Sequence, residues 1–573
     1  MNVVRRWLDS MAAAVRESDS KHPISAEFYQ RPWSGVDVVT GVGSLDIGNI
    51  GYFDRPGEDV YGYPQTFRFI DMRARGKSIN DGEFGVRTHP AWEDAGGYDT
   101  TRSAAEEQQL FLTLPHYAVG LGVSKMHNWC WAYPQDLVTG WGINYMWDLV
   151  GRDSLSVYRN TGLFFRQFDL KYESPEVFFL VADNHRMGGQ GEEVREAQLN
   201  GIRFLLDLHC NFATTDEYCL KDLPGSCKVL VYPLPFCPDD AVFERLLAFV
   251  KAGGTLYVSG DISYDSERKR GRLERLSKLL GVEFVAENYP NIKFPSHEAE
   301  IRVQGDFSGL KDYRGFPCIR VKPVSAEVVA ATPQGEAVIT TNKVGQGRVF
   351  YSADVVELHA PARTTDIGRM VYGGFLQWAG VSRPVLNPDK PDIHYFRSTT
   401  RQGDELFTIV NRDDTEPKQE ISFETRVGTI RVDVNRRMTG AIALTAAGAL
   451  QSLETSGTVS AQNEVYCRAE NHVMLFSLDG RDIRDSEVLC LLPMGEGVTR
   501  IRSRSIASEG QFEVGEFRDG KWTGLENRPL SSHDGWLELE VTRDRNLSII
   551  LLASAALMDR AREQLTRIFQ CEP

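Results

Sequence analysis

Over its first 150 residues the chain alternates short apolar strands with helices, and that alternation limits the fold more than any other feature. Strand–helix–strand repeats build parallel βαβ units. Residues 1–18 read as an amphipathic helix with a buried face, since Val4, Trp7, Leu8, Met11 and Val15 recur at helical spacing and Pro23 closes the segment. Strands follow at "PISAEF" (23–28) and "VDVVTGVG" (36–43), then a long loop through "SLDIGNIGYFDRPGEDVYGY" (44–63). A helix with Pro64 in its first turn and Gly76 past its end leads to a strand over 77–83 that closes on Glu83. Ser103-Ala-Ala-Glu106 is a capping box opening the next helix, which meets Pro115. The strand "GVSKMHNW" (122–129) and an aromatic loop complete the region.

The pattern stays α/β from about 165 to 385, with apolar strands at "EVFFLVA", "CKVLVYPLP", "GTLYVSG" and "GRVFYSA". Between two of them Val242, Leu246, Phe249 and Val250 share one helical face, which Gly253 ends. A compact doubly wound sheet is expected, with 282–325 less regular. From about 390 strands dominate, Asp519-Gly520 marks a hairpin, and "AALMDRAREQLTRIF" reads as a terminal helix. One or two β-sandwich modules fit. The expected domains are 1–160, 165–385 and 390–573, as a chain of 573 residues requires more than one core.

A net charge of -15 disfavours nucleic acid and anionic membrane as partners and leaves neutral substrates open. No run approaches a membrane span, and the start lacks a signal sequence. Nine scattered cysteines with no CxxC pair point to reduced thiols in a cytoplasmic protein. No metal site or cofactor motif is found; "HRMGGQGEE" (185–193) lacks the P-loop ending.

The residues with chemical potential follow strands, where barrels and open parallel sheets place their sites. Glu83, between Gly82 and Phe84-Gly85, is a carboxylate on a scaffolded strand with room beside it; read alone, it is more often an ordinary strand-to-loop residue than a nucleophile. Trp33, Trp92, Trp129, Trp131, Tyr133 and Trp141 cluster in loops after strands, where rings either stack on apolar sugar faces or pack in the core. His127 and Asn128 could bond sugar hydroxyls, and a satisfied interior histidine stays open for His127. Cys237, with His359 downstream, stands where class I glutamine amidotransferases carry a nucleophile, but Phe236 and Pro238 replace the glycine elbow, which favours a buried structural thiol.

A strand carrying Glu-Phe-Gly, followed one unit later by "KMHNWCW", then an α/β domain and β modules, resembles the retaining β-galactosidases of glycoside hydrolase family 42. The resemblance implies a (β/α)8 barrel with Glu83 as nucleophile on strand seven, Trp129 and Trp131 at the end of strand eight, and "PISAEF" and "VDVVTGVG" as strands five and six. It also implies a flavodoxin-like middle domain that helps form trimers. Retaining hydrolysis needs a second carboxyl as acid/base, roughly 5–5.5 Å away. The family's acid, in an Asn-Glu pair ending strand four, has no counterpart here, because strands one to four are not in the chain. Glu27 falls where the family carries a substrate-facing polar residue; Asp46 and Glu58 read as solvated.

The expected architecture is therefore multidomain α/β plus β: a partial (β/α)8 barrel (strands 5–8), a flavodoxin-like, class I amidotransferase-like middle domain, and C-terminal β-sandwich modules. The expected function is retaining hydrolysis of a β-galactoside-like bond by Glu83, with Trp129, Trp131, Asn128, His127 and Trp33 contacting carbohydrate. The acid/base would come from outside the chain or be lost, and a half barrel with raw edges calls for a partner chain bearing strands 1–4. The alternative is a non-catalytic carbohydrate-binding or assembly subunit.

Overall fold

The computed structural model describes residues 2–28, 42–54, 62–69, 76–86, 103–131, 142–144, 151–182, 191–288, 298–359, 361–506, 510–518 and 521–570. Its first elements are α1 (Asn2–Ser18), β1 (Ser25–Phe28), β2 (Ile47–Asp54), α2 (Gly62–Phe69), β3 (Ser78–Val86), α3 (Ala104–Leu121), β4 (Lys125–Asn128) and α4 (Asp153–Arg166). The four strands form one sheet in chain order, and β1 pairs β2 in parallel with Ser25 opposite Ile47.

Several elements differ from expectation. The second strand is 47–54, inside the segment read as a loop; the glycines and Asn49 that suggested a loop lie in a ladder where Gly48, Ile50, Gly51 and Tyr52 are all buried. Glycine is tolerated in a strand where other groups approach closely. The proposed strand 36–43 lies mostly outside the described residues, and Val42–Ser44 is a short 3-10 turn. Strand β3 runs on to Val86, so Glu83 sits within it and not at its end. Helix α3 passes through Pro115 to Leu121, because buried Phe111, Leu112, Leu114, Tyr117 and Ala118 hold both sides of the proline. On α1 the buried residues are Leu8 and Ala12, while Trp7, Met11 and Val15 form an exposed stripe, 60%, 52% and 45% accessible.

The capping box forms as read. The Ser103 hydroxyl accepts from Glu106 N at 3.2 Å, the Glu106 carboxylate accepts from Ser103 N at 2.7 Å, and Gly122 closes the helix at φ +77°.

The chain divides into two compact units, 1–50 with 64–80 and 174–383, and 51–63 with 81–173 and 384–573. In the first, β5 (Val177–Val181), β6 (Phe212–Asp216), β7 (Val229–Tyr232), β8 (Thr255–Ser259) and β9 (Gly347–Ser352) are parallel, ordered β6-β5-β7-β8-β9. Counted along the chain this is 2-1-3-4-5. Strands β5 and β7 are apolar throughout and β8 is apolar at its centre, as burial on both faces favours. Helix α6 (Asp240–Lys251) buries Val242, Phe243, Leu246, Leu247 and Val250. Segment 282–325 is more regular than expected: its strands pair antiparallel beyond β9.

In the second unit, eight-stranded and ten-stranded antiparallel sheets enclose one core containing Ile421, Ile430 and Val432 from the first sheet and Phe407, Ile442 and Leu475 from the second. Strands Gly510–Arg518 and Lys521–Pro529 pair with Arg518 opposite Lys521; the Asp519-Gly520 turn lies outside the described residues. The terminal helix spans Met558–Gln570. Helix α3 lies on the ten-stranded sheet, where Gly120 permits the approach: a Cβ there would stand 2.5 Å from the Phe396 ring.

A buried polar network fastens that contact. His116 Nε2 donates to Glu454 Oε2 at 2.5 Å and its Nδ1 donates to Leu112 O at 2.7 Å. His472 Nε2 donates to Glu454 Oε1 at 2.8 Å, as does the Thr439 hydroxyl at 2.5 Å. Both His116 nitrogens thus face acceptor oxygens, one of them a Glu454 carboxylate oxygen. Burial alone would raise the Glu454 carboxyl, but the charge and hydrogen bonds of His116 and His472 hold it down at about 2. A depressed folded-state value contributes stability above the unfolded value of about 4.3, lost as pH falls toward 2. We expect Glu454→Gln to lower the unfolding free energy at pH 7 by about 3 kcal/mol and to lessen the loss of stability between pH 4.3 and 2, measured by urea denaturation; an unchanged acid limb would contradict the assignment.

Candidate functional site

Strand β3 is anchored by Phe84, which is fully buried against Phe111 of α3 and Tyr158 of α4 at ring-centroid distances of 5.6 and 5.3 Å. Successive strand side chains point to opposite faces. Glu83 is therefore on the face away from those helices, and it is half-buried. Two residues earlier Asp81 is fully buried and accepts the Tyr63 hydroxyl at 3.3 Å. The buried positions change from Ile79 and Asp81 to Phe84 and Val86, so the alternation breaks at Gly82-Glu83.

The neighbouring strand places the other expected residues. Trp129 N donates to Phe84 O at 2.8 Å, which carries the ladder past the end of β4. Asn128 Nδ2 donates to the same carbonyl at 3.3 Å, so its amide nitrogen ties two strands together. His127 is exposed and not an interior histidine; partial burial and Lys125 lower its pKa. Trp129 and Trp131 are 38% and 62% exposed. Trp33, Trp92, Tyr133 and Trp141 lie outside the described residues, as does Glu58. Glu27 is exposed on β1, two strands from β3. Asp46 accepts Ile24 N at 2.7 Å and pairs with Arg16, which makes it a local brace.

The sequence did not mark what holds the aromatic segment. Cys130 O accepts from Ile143 N at 3.1 Å, and Trp131 O accepts from Asn144 N and Nδ2 at 3.1 and 3.0 Å. Arg152 in turn binds Ile143 O through its backbone N (2.9 Å) and Gly142 O through Nη1 (2.9 Å). Its Nη2 meets Glu107 Oε2 at 2.8 Å. A line of bonds thus runs from the first turn of α3 to the Trp131 backbone. "SAAEE" gave Glu106 its capping role, but no periodicity distinguishes the second, buried glutamate.

Cys237 is buried, and burial pushes its thiol up to about 12, which keeps it protonated. His359 Nε2 donates to Asp354 at 2.9 Å. None of the eight described cysteines is in a disulfide. Among the described residues no helix is long and apolar enough to cross a membrane.

Residues 218–382 match the family described as the β-galactosidase trimerisation domain. No curated protein sequence matches the chain. Among solved structures the fold is similar to the β-galactosidase of Bacillus circulans sp. alkalophilus (TM-score 0.60, 15% identity, 76% of this chain and 66% of that one). A GH42 β-galactosidase from G. stearothermophilus gives 0.59 at 13% identity, covering 75% and 64%. An α-L-fucosidase isoenzyme from Paenibacillus thiaminolyticus gives 0.50 at 12%, covering 96% and 71%. The chain spans about two thirds of the length of these β-galactosidases, and at such identities the likeness is one of fold. By domain match and fold together, the chain resembles the family 42 β-galactosidases.

Burial pushes the Glu107 carboxyl up to about 7 although Arg152 opposes the shift. With a folded value above the unfolded one of about 4.3, its contribution is fully present below pH 4.3 and lost as pH rises through 7. Glu107→Gln should therefore flatten the decline in stability over that window, measured by thermal unfolding between pH 4.5 and 7.5; an unaltered slope would show that another group titrates there.

Proposed function

We propose that the chain carries the nucleophile side of a retaining, β-galactosidase-like glycoside hydrolase. Glu83 attacks the anomeric carbon, and the proton donor comes from polypeptide outside these 573 residues or has been lost. The observation that carries this reading is the placement of Glu83: half-buried, on the opposite side of its strand from the buried Phe84 ring, one strand from the exposed Trp129, Trp131 and His127. Trp129 and Trp131 offer faces on which a sugar can stack. Trp33 is proposed with them by the family resemblance alone. Asn128 orders the strand pair through one N–H of its amide, and since its Oδ1 is buried the second N–H is the group proposed for substrate.

Neither Glu27, the second carboxylate the sequence raised, nor the buried Asp81 beside Glu83 is proposed as the acid/base. Asp81 is committed to Tyr63, and β1 with Glu27 stands two strand spacings, about 10 Å, from β3; a retaining pair needs roughly 5–5.5 Å. Strands β1 to β4 correspond in this reading to barrel strands five to eight. A polypeptide bearing strands one to four would close the sheet and cover the Trp7–Met11–Val15 stripe of α1. The strand order 2-1-3-4-5 supports a flavodoxin-like domain over about 165–385, and the match over 218–382 supports its use in forming a trimer. A cytoplasmic location follows from the scattered thiols. The exposure of Trp129 and Trp131 also supports a second reading, a carbohydrate-binding or assembly subunit without turnover.

Nitrophenyl glycosides separate these readings. The chain alone should show little or no hydrolysis. Adding the product of an upstream or adjacent reading frame that encodes a strand ending in Asn-Glu should restore turnover, and Glu83→Gln should then remove it by at least about 10³-fold. Glycan binding that survives Glu83→Gln, with no turnover under any pairing, would instead establish the binding subunit.

A further inference from the structure

We propose that the outward face of the eight-stranded sheet carries a binding groove for an acidic sugar, with one uronate or sulfate group on an oligosaccharide. This site is separate from Glu83 and does not depend on the hydrolase reading. Strands Glu464–Ala469, Gly497–Arg502 and Trp536–Val541 are neighbours in that sheet. Cys467 is opposite Ile501 and Ile501 opposite Leu537, and all three are buried in the sandwich core. Alternation then turns Arg468, Arg502 and Trp536 outward, with Arg502 directly across from Trp536. These three line a groove of about 540 Å³ together with Glu464, Arg484 and Arg504, a volume within the usual range of small-molecule sites.

The arginines are not equivalent. Arg484 donates to Asp482 at 2.9 Å and also meets Glu464; Arg504 pairs with Asp485 at 3.1 Å. Their charge is spent on the protein's own carboxylates. Arg468 and Arg502 have no carboxylate within salt-bridge distance among the described residues. Instead their guanidinium carbons stand 5.4 and 5.3 Å from the centre of the Trp536 ring. Arg502 is further fixed by the Asp534 carbonyl, to which Nη1 donates at 2.6 Å, and by Gly535, where an added Cβ would come within 3.4 Å of Nη1. Two ordered guanidinium forks with open donors suit a planar carboxylate or a sulfate.

The rest of the groove narrows the ligand. Its volume exceeds that of a bare anion. Glu464 on the wall, already paired with Arg484, accepts from hydroxyls through its remaining lone pairs. The net charge of -15 opposes polyanions such as nucleic acid. One acidic group on a polyhydroxylated body meets all three conditions.

The full chain is titrated by calorimetry and tryptophan fluorescence with digalacturonate, galactose 6-sulfate, neutral galactobiose, inorganic sulfate and a short single-stranded DNA. We expect an acidic sugar to bind with Kd of about 1 mM or tighter and galactobiose at least about tenfold more weakly. The two acidic sugars tell a carboxylate ligand from a sulfate ester. Arg468→Gln and Arg502→Gln should each weaken binding about tenfold, and Arg468→Gln, whose side chain faces outward, should leave the melting temperature unchanged. Glu83→Gln should bind as the parent does, so loss of the hydrolase reading leaves this one standing. Equal binding of galactobiose, sulfate as tight as the sugars, preference for DNA, no binding of either acidic sugar, or indifference to both arginine variants would each overturn the proposal.

Discussion

Strand β3 holds Glu83 in place because the face opposite to it is fixed by packing. Phe84 is buried completely between Phe111 and Tyr158, which come from two different helices. A strand with one side chain wedged in this way cannot slip by a residue without exposing the ring, because a one-residue shift exchanges the two faces. The position of the carboxylate therefore derives from an aromatic contact on the opposite side of the backbone. The same backbone accepts Trp129 N and Asn128 Nδ2 at Phe84 O, so the strand that carries the exposed rings is set in register by the residue that anchors the carboxylate.

The helices that receive Phe84 are themselves fixed. Helix α3 reaches the ten-stranded sheet through Gly120 and through His116, whose two ring nitrogens both find acceptors. Burying a charge pair gives little net stability compared with an apolar contact of the same shape. It does penalise any docking in which His116 and Glu454 fail to meet, since an unpaired buried charge costs several kcal/mol. The network thus acts on where α3 sits more than on how tightly it is held. Through α3 that placement extends to Phe111 and so to β3. A C-terminal sandwich with no part in the chemistry proposed here still determines where Glu83 stands.

The sequence showed those parts of the fold that rest on local chemistry. The capping box at Ser103, the stop at Gly253 on α6 and the apolar strands β5, β7 and β8 all declare themselves through side chains near in sequence. It failed where distant packing overrides local preference. The run around Gly48, Asn49 and Gly51 has the composition of a loop, yet two neighbouring strands make it β2. Pro115 signals a stop, yet burial on both sides of it carries α3 onward. The stripe Trp7, Met11 and Val15 has the period of a buried helix face, but periodicity indicates a surface that seeks a partner without saying whether this chain supplies one. At the site, residue types and order singled out Glu83 and the tryptophans. The Glu107–Arg152 brace stayed hidden because its meaning depends on which of two adjacent glutamates turns inward.

That stripe and Glu83 pose the same question from two directions. An exposed indole, thioether and isopropyl group on one helix face is apolar surface left in water, and burying it on a partner is favoured by about 25 cal/mol per Å². A nucleophile without a proton donor stalls at bond cleavage, because the leaving oxygen must depart as an alkoxide. In the reading proposed above, a polypeptide partner would supply the second carboxyl, and the stripe on α1 is a surface it could cover. A chain evolved to act alone would instead be expected to replace the stripe with polar residues, as surface helices do. Among the described residues Trp7, Met11 and Val15 are therefore apolar surface suited to a partner, and that follows from packing alone, without reference to the chemistry of Glu83.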